Sequence, residues 1–334
     1  MYRYLLPLFI LLYLLPAVSA DTAQGKTHGD TSFTIPDWFK HSFLEITDDV
    51  REAKDSNKHV MLFMHIERCP YCSRMLNENF REGNNKTFIQ NNFDVIDINI
   101  RGDREIQWDE KTQYNEKSLA RELNVHFTPT IVFLNTAGQK VYQVNGYRNP
   151  EDFKHVLNYV SQKQYTTLKL TDYIINQKTS VYHFRSHPLF TQTTDFSKYK
   201  GPLAVIYEDK SCAGCDEFHS KVLTHKTVLA ELEKFTVVRL DTHSDQPITD
   251  TSGNKTSARD WAKKLKLDYR PGIVLFDKGV EVSRADGHLY HFHFKELLRY
   301  VAEGFYLQYP SYLQYLAPRQ KELLESGVDI DYSL

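Results

Sequence analysis

The feature that most constrains the fold of this chain is a pattern that its sequence contains twice. A shift of about 142 residues places an apolar run, a Cys-x-x-Cys pair, a second apolar run, an amphipathic segment and a Pro-led apolar run onto their counterparts. The matching stretches are 60–63 with 203–206, 92–98 with 234–240, 119–125 with 261–267, and 128–133 with 270–275. Because the register holds from before each Cys pair to the last predicted helix, the sequence predicts a duplicated domain.

The order of the patterns within each copy indicates the fold class. A helix, a strand, a helix that opens at the Cys pair, a strand, a helix, a Pro-led strand, a hairpin strand and a final helix follow one another. This alternation predicts an α/β fold with two tandem domains, each a mixed central sheet flanked by helices. We expect domain 1 at residues 21–178 and domain 2 at residues 179–334, with the boundary in the polar stretch 176–180.

Residues 1–20 have the three parts of a secretory signal peptide. Arg3 supplies a positive charge, residues 5–15 are apolar, and small residues at 18–20 precede a cleavage site. The apolar run is shorter than the roughly 20 residues that a membrane-spanning helix needs. We therefore expect an exported protein, located in the periplasm, with ordinary secretion as the alternative.

The four cysteines form two closely spaced pairs, Cys69 with Cys72 and Cys212 with Cys215. An exported protein that used its cysteines only as structural staples would usually place them at wider separations. At the start of a helix a Cys-x-x-Cys pair has another use, because the unpaired N–H groups and the helix dipole stabilise a thiolate. We expect Cys69 and Cys212 to attack disulfides, and Cys72 and Cys215 to resolve the mixed disulfides. No organic cofactor is needed, since redox-active disulfides store the electrons.

Together with the Cys pairs, Pro129 and Pro271 give the chain a resemblance to the thioredoxin superfamily. Each proline leads an apolar strand and lies about 60 residues beyond the first Cys of its pair. In that family a cis-proline loop faces the Cys pair and binds a substrate peptide through its backbone. The resemblance therefore implies a substrate-binding role for Thr128 and Pro129, and for Arg270 and Pro271. The first copy is most similar to the periplasmic thioredoxin-like proteins of sulfur-oxidation clusters, over residues 67–75, 128–133 and 146–147.

Two departures from thioredoxin itself concern the surroundings of the thiols. Thioredoxin has Trp before its first Cys, whereas this chain has Arg68 and Ser211 at the two positions. Thioredoxin also buries an Asp, its proton acceptor, where this chain has Phe63 and Ile206. Because a cation near a thiol lowers its pKa, we expect Arg68 in domain 1 and Arg270 in domain 2 to tune the attacking thiols.

Metal binding is the main alternative use of these residues. The two Cys pairs would have to meet to form a zinc site, but each lies inside its own copy of the domain. A thiolate copper site would need a nearby imidazole, such as His65 or His126. We interpret the cluster of His288, His291 and His293 as an ordinary loop that enters the last helix. The sequence therefore predicts no metal site.

The predicted function is the reduction or isomerisation of disulfides in exported proteins. Those proteins and a membrane electron donor are the expected partners. The alternative is a thioredoxin-like module that binds client proteins or handles copper without turnover. A formal net charge of −2, with no basic stripe, excludes nucleic acid as a partner. No dimerisation segment is evident, so we expect a monomer.

Overall fold

Two domains with the same sheet order make up the chain in a computed structural model that describes residues 24–29, 32–177, 182–212, 214–267 and 269–332. The predicted signal peptide lies outside the described residues, and so does most of the predicted boundary at 176–180. Within the described ranges, no helix is both long enough and apolar enough to cross a membrane.

Domain 1 is built around the four-stranded sheet β3-β2-β6-β7, in which β2 and β3 are parallel and the other neighbours are antiparallel. A π-helical stretch, Leu76–Arg81, continues α2. The elements in chain order are β1 (Thr27–His28), α1 (Ile46–Asp55), β2 (His59–His65), α2 (Pro70–Met75), α3 (Gly83–Asn92), β3 (Phe93–Asn99), β4 (Glu105–Gln107), β5 (Gln113–Asn115), α4 (Glu116–Glu122), β6 (Thr130–Leu134), β7 (Lys140–Asn145), α5 (Pro150–Ser161) and α6 (Leu170–Gln177).

Domain 2 repeats this sheet in the order β9-β8-β12-β13, with the same parallel and antiparallel pairs. Its elements are β8 (Leu203–Glu208), α7 (Cys215–Glu217), α8 (Lys226–Leu232), β9 (Thr236–Asp241), β10 (Pro247–Thr249), β11 (Lys255–Ser257), α9 (Ala258–Lys264), β12 (Gly272–Asp277), β13 (Val280–Ala285), α10 (His291–Ala302), α11 (Tyr312–Glu325) and β14 (Ile330–Asp331). The last strand, β14, pairs in parallel with β1. The predicted α/β fold with two mixed sheets is confirmed.

The central strand β2 of domain 1 is covered on both faces of its sheet. All seven of its residues are buried, as a near-continuous apolar run requires when both faces of a strand are covered. Met61 and Phe63 point into one core, while Val60, Leu62 and Met64 point into the core on the other face. This alternation follows from the two-residue period of a strand.

The prediction that each copy starts with a helix is wrong for the described part of domain 2. Residues 182–202 contain no helix and instead form isolated bridges to the sheet. Pro188 and Pro202 disfavour a helix in this stretch. Phe196 is fully buried and packs on Trp261, with ring centroids 5.1 Å apart, so it supplies part of the apolar cover that α1 gives to domain 1.

At the centre of the contact between the domains, equivalent residues of the two copies face each other. Gly146 matches Gly287 in the repeat, and a Cβ added to Gly287 would lie 3.2 Å from Cα of Gly146 and 2.8 Å from the carbonyl oxygen of Asn145. Nearby, the guanidinium of Arg148 lies 3.8 Å from the ring centre of Tyr269. Such self-matching contacts are what an approximate two-fold relation between the copies produces.

Tyr71, from the first Cys-x-x-Cys segment, anchors domain 2 on domain 1. Its ring lies 4.3 Å from the ring of Tyr290, measured between centroids. Its hydroxyl accepts the N–H of Tyr290 and is hydrogen-bonded to Nδ1 of His293, both at 2.9 Å. Arg74 donates to the Tyr290 hydroxyl at 3.1 Å. Tyr290 thus completes the apolar core of domain 1 from the other domain.

Gly287→Ala is expected to weaken this contact, because the new Cβ would meet backbone atoms that cannot move independently of their strands. We expect a loss of about 1–3 kcal/mol in the free energy of unfolding, measured by urea denaturation and by faster proteolysis between the domains. Gly201→Ala is the matched control, since a Cβ there meets nothing within 4 Å. Equal stability of the two variants would contradict the proposed close packing.

Candidate active site

The first Cys pair lies where β2 leads into α2. Cys69 is the N-cap of α2, and its Sγ accepts a hydrogen bond from the N–H of Cys72 at 3.0 Å. The two sulfur atoms form a disulfide of 2.11 Å. Cys69 is 3% exposed and Cys72 is 0% exposed, so Cys69 is the sulfur that a substrate reaches first. In the reduced pair, the same backbone donor stabilises a negative charge on the sulfur of Cys69.

The proline loop of domain 1 lies directly against Cys69. The sulfur is 3.5 Å from Oγ1 of Thr128 and 3.6 Å from its carbonyl oxygen. The bond between Thr128 and Pro129 is cis, and Pro129 is buried. Arg68 is exposed beside the pair, with a left-handed φ of 53°. The structure therefore brings together the predicted site residues of domain 1, whose roles stay predictions.

The second pair repeats this arrangement with differences. Cys212 and Cys215 form a disulfide of 2.03 Å and are 3% and 0% exposed. The helix that follows, α7, begins at Cys215 and continues as a π-helical stretch, Phe218–Val222, as α2 does in domain 1. The cis bond between Arg270 and Pro271 lies close by, since a Cβ on Gly214 would be 3.8 Å from the proline ring. Both predicted sets of site residues are thus assembled, one in each domain.

Arg270 has a carboxylate partner that the sequence analysis missed. Its Nε lies 2.5 Å from Oδ2 of Asp209, which is 0% exposed. Burial by itself would raise the pKa of Asp209, but Arg270 and hydrogen bonds from Ser211 and Thr242 hold that pKa below its usual range. Arg270 is predicted to lower the pKa of the Cys212 thiol. The negative charge of Asp209, which is paired with Arg270, opposes this effect.

A polar residue ends the central strand in each domain, and of the two the sequence analysis named only His65. His65 and Glu208 hold equivalent positions, four residues before the first Cys, and both are buried. Nε2 of His65 lies 3.6 Å from Asp97. Glu208 is hydrogen-bonded to His219 at 2.6 Å and to the hydroxyl of Tyr182 at 3.2 Å. The signal in the sequence was a polar residue directly after an apolar run, at the end of the strand that leads to each Cys pair.

The buried acid of domain 2 is connected to its Cys pair through a tyrosine. Tyr182 packs against Cys212 and Cys215 while its hydroxyl donates to Glu208. Burial, followed by the nearby Glu208 carboxylate, raises the pKa of Tyr182 to about 12. Tyr182 therefore stays neutral at physiological pH and keeps its proton available for this hydrogen bond.

Access to the two Cys pairs differs. Cys69 opens into a cavity of about 540 Å³ whose opposite wall belongs to domain 2. Cys212 adjoins a cavity of only about 40 Å³, close to the roughly 30 Å³ that one water molecule occupies. The residues of domain 1 that line this smaller cavity are Tyr142, Val144, Arg148, Asp152, Val156, Leu170, Thr171 and Ile174. More space therefore lies beside the first pair than beside the second, and the attacking cysteine of each pair is 3% exposed.

The clustered histidines His288, His291 and His293 are packed into the protein. Burial lowers the pKa of His288 and of His293 to about 3 each, so both are neutral. His291 stacks on His225, with ring centroids 4.1 Å apart. Across the part of the chain that the structure describes, no three His, Cys, Asp or Glu side chains are grouped so as to hold a metal ion.

Both halves of the chain match a known family. The family model described as thioredoxin-like domain matches residues 46–161 and 189–302. No curated protein sequence matches the chain.

Solved structures similar to the chain include three thioredoxin-fold or disulfide-exchange proteins. A thioredoxin-fold protein from Helicobacter pylori is 24% identical, with 36% of this chain and 84% of that chain covered and a TM-score of 0.33. A disulphide isomerase from Xylella fastidiosa Temecula1 is 15% identical, with 44% and 100% covered and a TM-score of 0.25. A protein disulfide oxidoreductase from Aeropyrum pernix is 14% identical, with 80% and 97% covered and a TM-score of 0.25.

Arg270→Leu is expected to lower the free energy of unfolding of domain 2 by about 3–5 kcal/mol at neutral pH, because Asp209 would stay buried without its cation. The pKa of Asp209 is lowered in the folded protein, so its contribution to stability is present above about pH 4 and is lost as the pH falls. The difference between variant and wild type should therefore shrink in acid.

Urea denaturation of both proteins between about pH 7 and about pH 3 measures this difference. The double variant Arg270→Leu with Asp209→Asn is the control, and it should regain part of the lost stability because no buried charge remains. A difference that does not change with pH would contradict the assigned pairing.

Proposed function

The chain belongs to the thioredoxin-like domain family, and on this premise we propose that it is a thiol–disulfide oxidoreductase that reduces or isomerises disulfides in exported proteins, with Cys69 as its nucleophile. The observation that carries the proposal is the position of the Cys69 sulfur. It caps a helix, accepts the N–H of Cys72, contacts Thr128 and opens into a cavity. A nucleophile needs this combination of a stabilised anion and access to its substrate.

Reduction proceeds by two exchanges at sulfur. The Cys69 thiolate attacks a substrate disulfide, so that a mixed disulfide forms and one substrate thiolate leaves. The Cys72 thiol then loses its proton and attacks the sulfur of Cys69, which releases the second substrate thiolate and closes the Cys69–Cys72 disulfide. Two electrons pass from the thiol pair to the two substrate sulfur atoms, which take up protons.

Isomerisation begins with the same first exchange as reduction but does not use the Cys72 thiol. The mixed disulfide at Cys69 is attacked by another thiolate of the same substrate, which forms a new substrate disulfide and returns Cys69 as a thiolate. No net electron transfer occurs. The hydrogen bond from the N–H of Cys72 favours this return, because it makes the Cys69 thiolate a good leaving group.

The compartment and the electron source are parts of the same proposal. The signal-like segment at residues 1–20 supports export to the periplasm, where protein disulfides form and persist. A reductase in that compartment must be reduced again by a thiol donor, which we propose to be a membrane protein. We place catalysis first at Cys69, because the space beside it is larger than the space beside Cys212.

Cys69→Ser is expected to abolish the reduction of insulin by dithiothreitol above the uncatalysed rate, because Ser cannot form the mixed disulfide. Cys72→Ser should accumulate a covalent complex with substrate, seen on non-reducing gels, because nothing resolves it. The matched control changes Cys212 and Cys215 to Ser together, and we expect it to keep the wild-type rate. Full activity of Cys69→Ser, or loss of activity in the control, would contradict the assignment of catalysis to domain 1.

A further inference from the structure

We propose that α11 of domain 2 is the selective wall of the substrate site, and that the groove between α11 and Cys69 binds an extended polypeptide segment whose cysteine is flanked by apolar side chains. This inference deepens the proposed function and rests on it. It assigns domain 2 a role in substrate choice that does not depend on the Cys212–Cys215 pair.

One side of α11 faces the groove. The residues of this helix that line the cavity are Tyr312, Leu313, Leu316, Ala317, Gln320 and Leu324. Their spacing of three or four residues places them on one stripe of the helix surface. Leu313 is 37% exposed and Ala317 is also exposed. An apolar stripe therefore stands open in a cavity whose far side carries the reactive sulfur.

The wall opposite α11 is also largely apolar near the sulfur. Pro70, Tyr71 and Phe127 line it beside Cys69 and Thr128. Phe127 reaches across from the proline loop and packs against the core of domain 2. A substrate cysteine that reaches Cys69 therefore has apolar side chains of this chain on both sides.

The cavity volume favours a short segment of chain over a folded surface. At about 540 Å³ it falls in the range of roughly 300–1,000 Å³ of pockets that enclose drug-sized ligands. A folded domain would have to displace one wall to bring a disulfide to Cys69, which is only 3% exposed. An extended segment presents its cysteine without such a change.

The charges at the rim do not select for a charged substrate. Arg68 and Arg101 are balanced by Glu67 and Asp286. Inside the groove, a charged substrate side chain would lose its water and face leucine, which costs free energy. An apolar side chain in the same place gains free energy by burial. Selection for apolar flanking residues follows from this difference.

The last helix of domain 1 already packs apolar side chains beside the second Cys pair. In the repeat, α6 is the counterpart of α11, and its Leu170 and Ile174 line the small cavity beside Cys212. There, apolar side chains of the other domain fill the space next to the Cys pair. Beside Cys69 the equivalent space is open, and an apolar substrate segment would complete the same packing.

The test compares two peptides that differ only in the residues beside one cysteine, with Leu and Val in one and Asp and Ser in the other. Each is supplied as a mixed disulfide with hydroxyethyl thiol to the full-length, reduced protein, and hydroxyethyl disulfide serves as the small substrate. Dithiothreitol reduces the Cys69–Cys72 disulfide after each turnover, and its uncatalysed rate with each substrate is subtracted. Fluorescence anisotropy of versions with Ser in place of Cys gives their affinity for the oxidised protein. These measurements separate binding from chemistry.

We expect the KM of the apolar-flanked peptide to be about tenfold lower than that of the acidic one, with kcat similar. Leu313→Glu with Ala317→Glu should remove this preference, raising the KM of the apolar-flanked peptide about tenfold. Leu307→Glu is the matched control, because Leu307 is 74% exposed and lies outside the groove. It should behave as the wild type.

Two results would separate the failure of this inference from the failure of the proposed function. Equal affinity of the two Ser peptides for the wild-type protein, or no effect of the double Glu substitution, would overturn the role of α11 whatever the catalytic rates. A reduced wild-type protein that does not turn over hydroxyethyl disulfide would instead overturn the oxidoreductase function.

Discussion

The contact of Tyr71 with Tyr290 and His293 is the interaction on which the arrangement of the two sites depends. It joins a residue of the first Cys-x-x-Cys segment to the loop and helix that follow β13. The segment that carries Cys69 therefore also holds domain 2, through the side chain of Tyr71. Because Tyr71 is buried and its hydroxyl is hydrogen-bonded on two sides, moving domain 2 away would leave polar groups without partners.

A second constraint is that the buried carboxylate of domain 2 needs a cation and hydrogen-bond donors beside it. Asp209 is buried directly after β8, three residues before Cys212, and Arg270, Ser211 and Thr242 supply its partners. In domain 1 the corresponding loop residues carry no such buried ion pair, and Thr128 instead lies against Cys69. The proline loops of the two domains thus share a cis bond before proline but differ in the contacts that their side chains make. One borders the reactive sulfur, and the other neutralises a buried carboxylate.

Much of each domain could be predicted because its signals are local. The apolar run of β2, the Cys pair at the start of a helix and the Pro-led strand β6 each have a pattern a few residues long. The short hairpins, β4 with β5 and β10 with β11, have three-residue strands that periodicity does not reveal. The roles of Glu208 and Asp209 depend on partners distant in sequence, as does the cover of Cys212 by domain 1. The predicted similarity to sulfur-oxidation-cluster proteins stays a prediction.

Duplication alone does not make two equal active sites. Since the copies meet through equivalent residues at Gly146 and Gly287, each Cys pair must face the last helix of the other domain. The volume of the cavity beside each Cys pair then depends on how closely the last helix of the other domain approaches that pair. Leu170 and Ile174 of α6 leave about 40 Å³ beside Cys212, whereas α11 leaves about 540 Å³ beside Cys69. The attacking cysteines themselves are equally exposed, at 3% each, so the packing of the last helix of the other domain is what distinguishes the two sites.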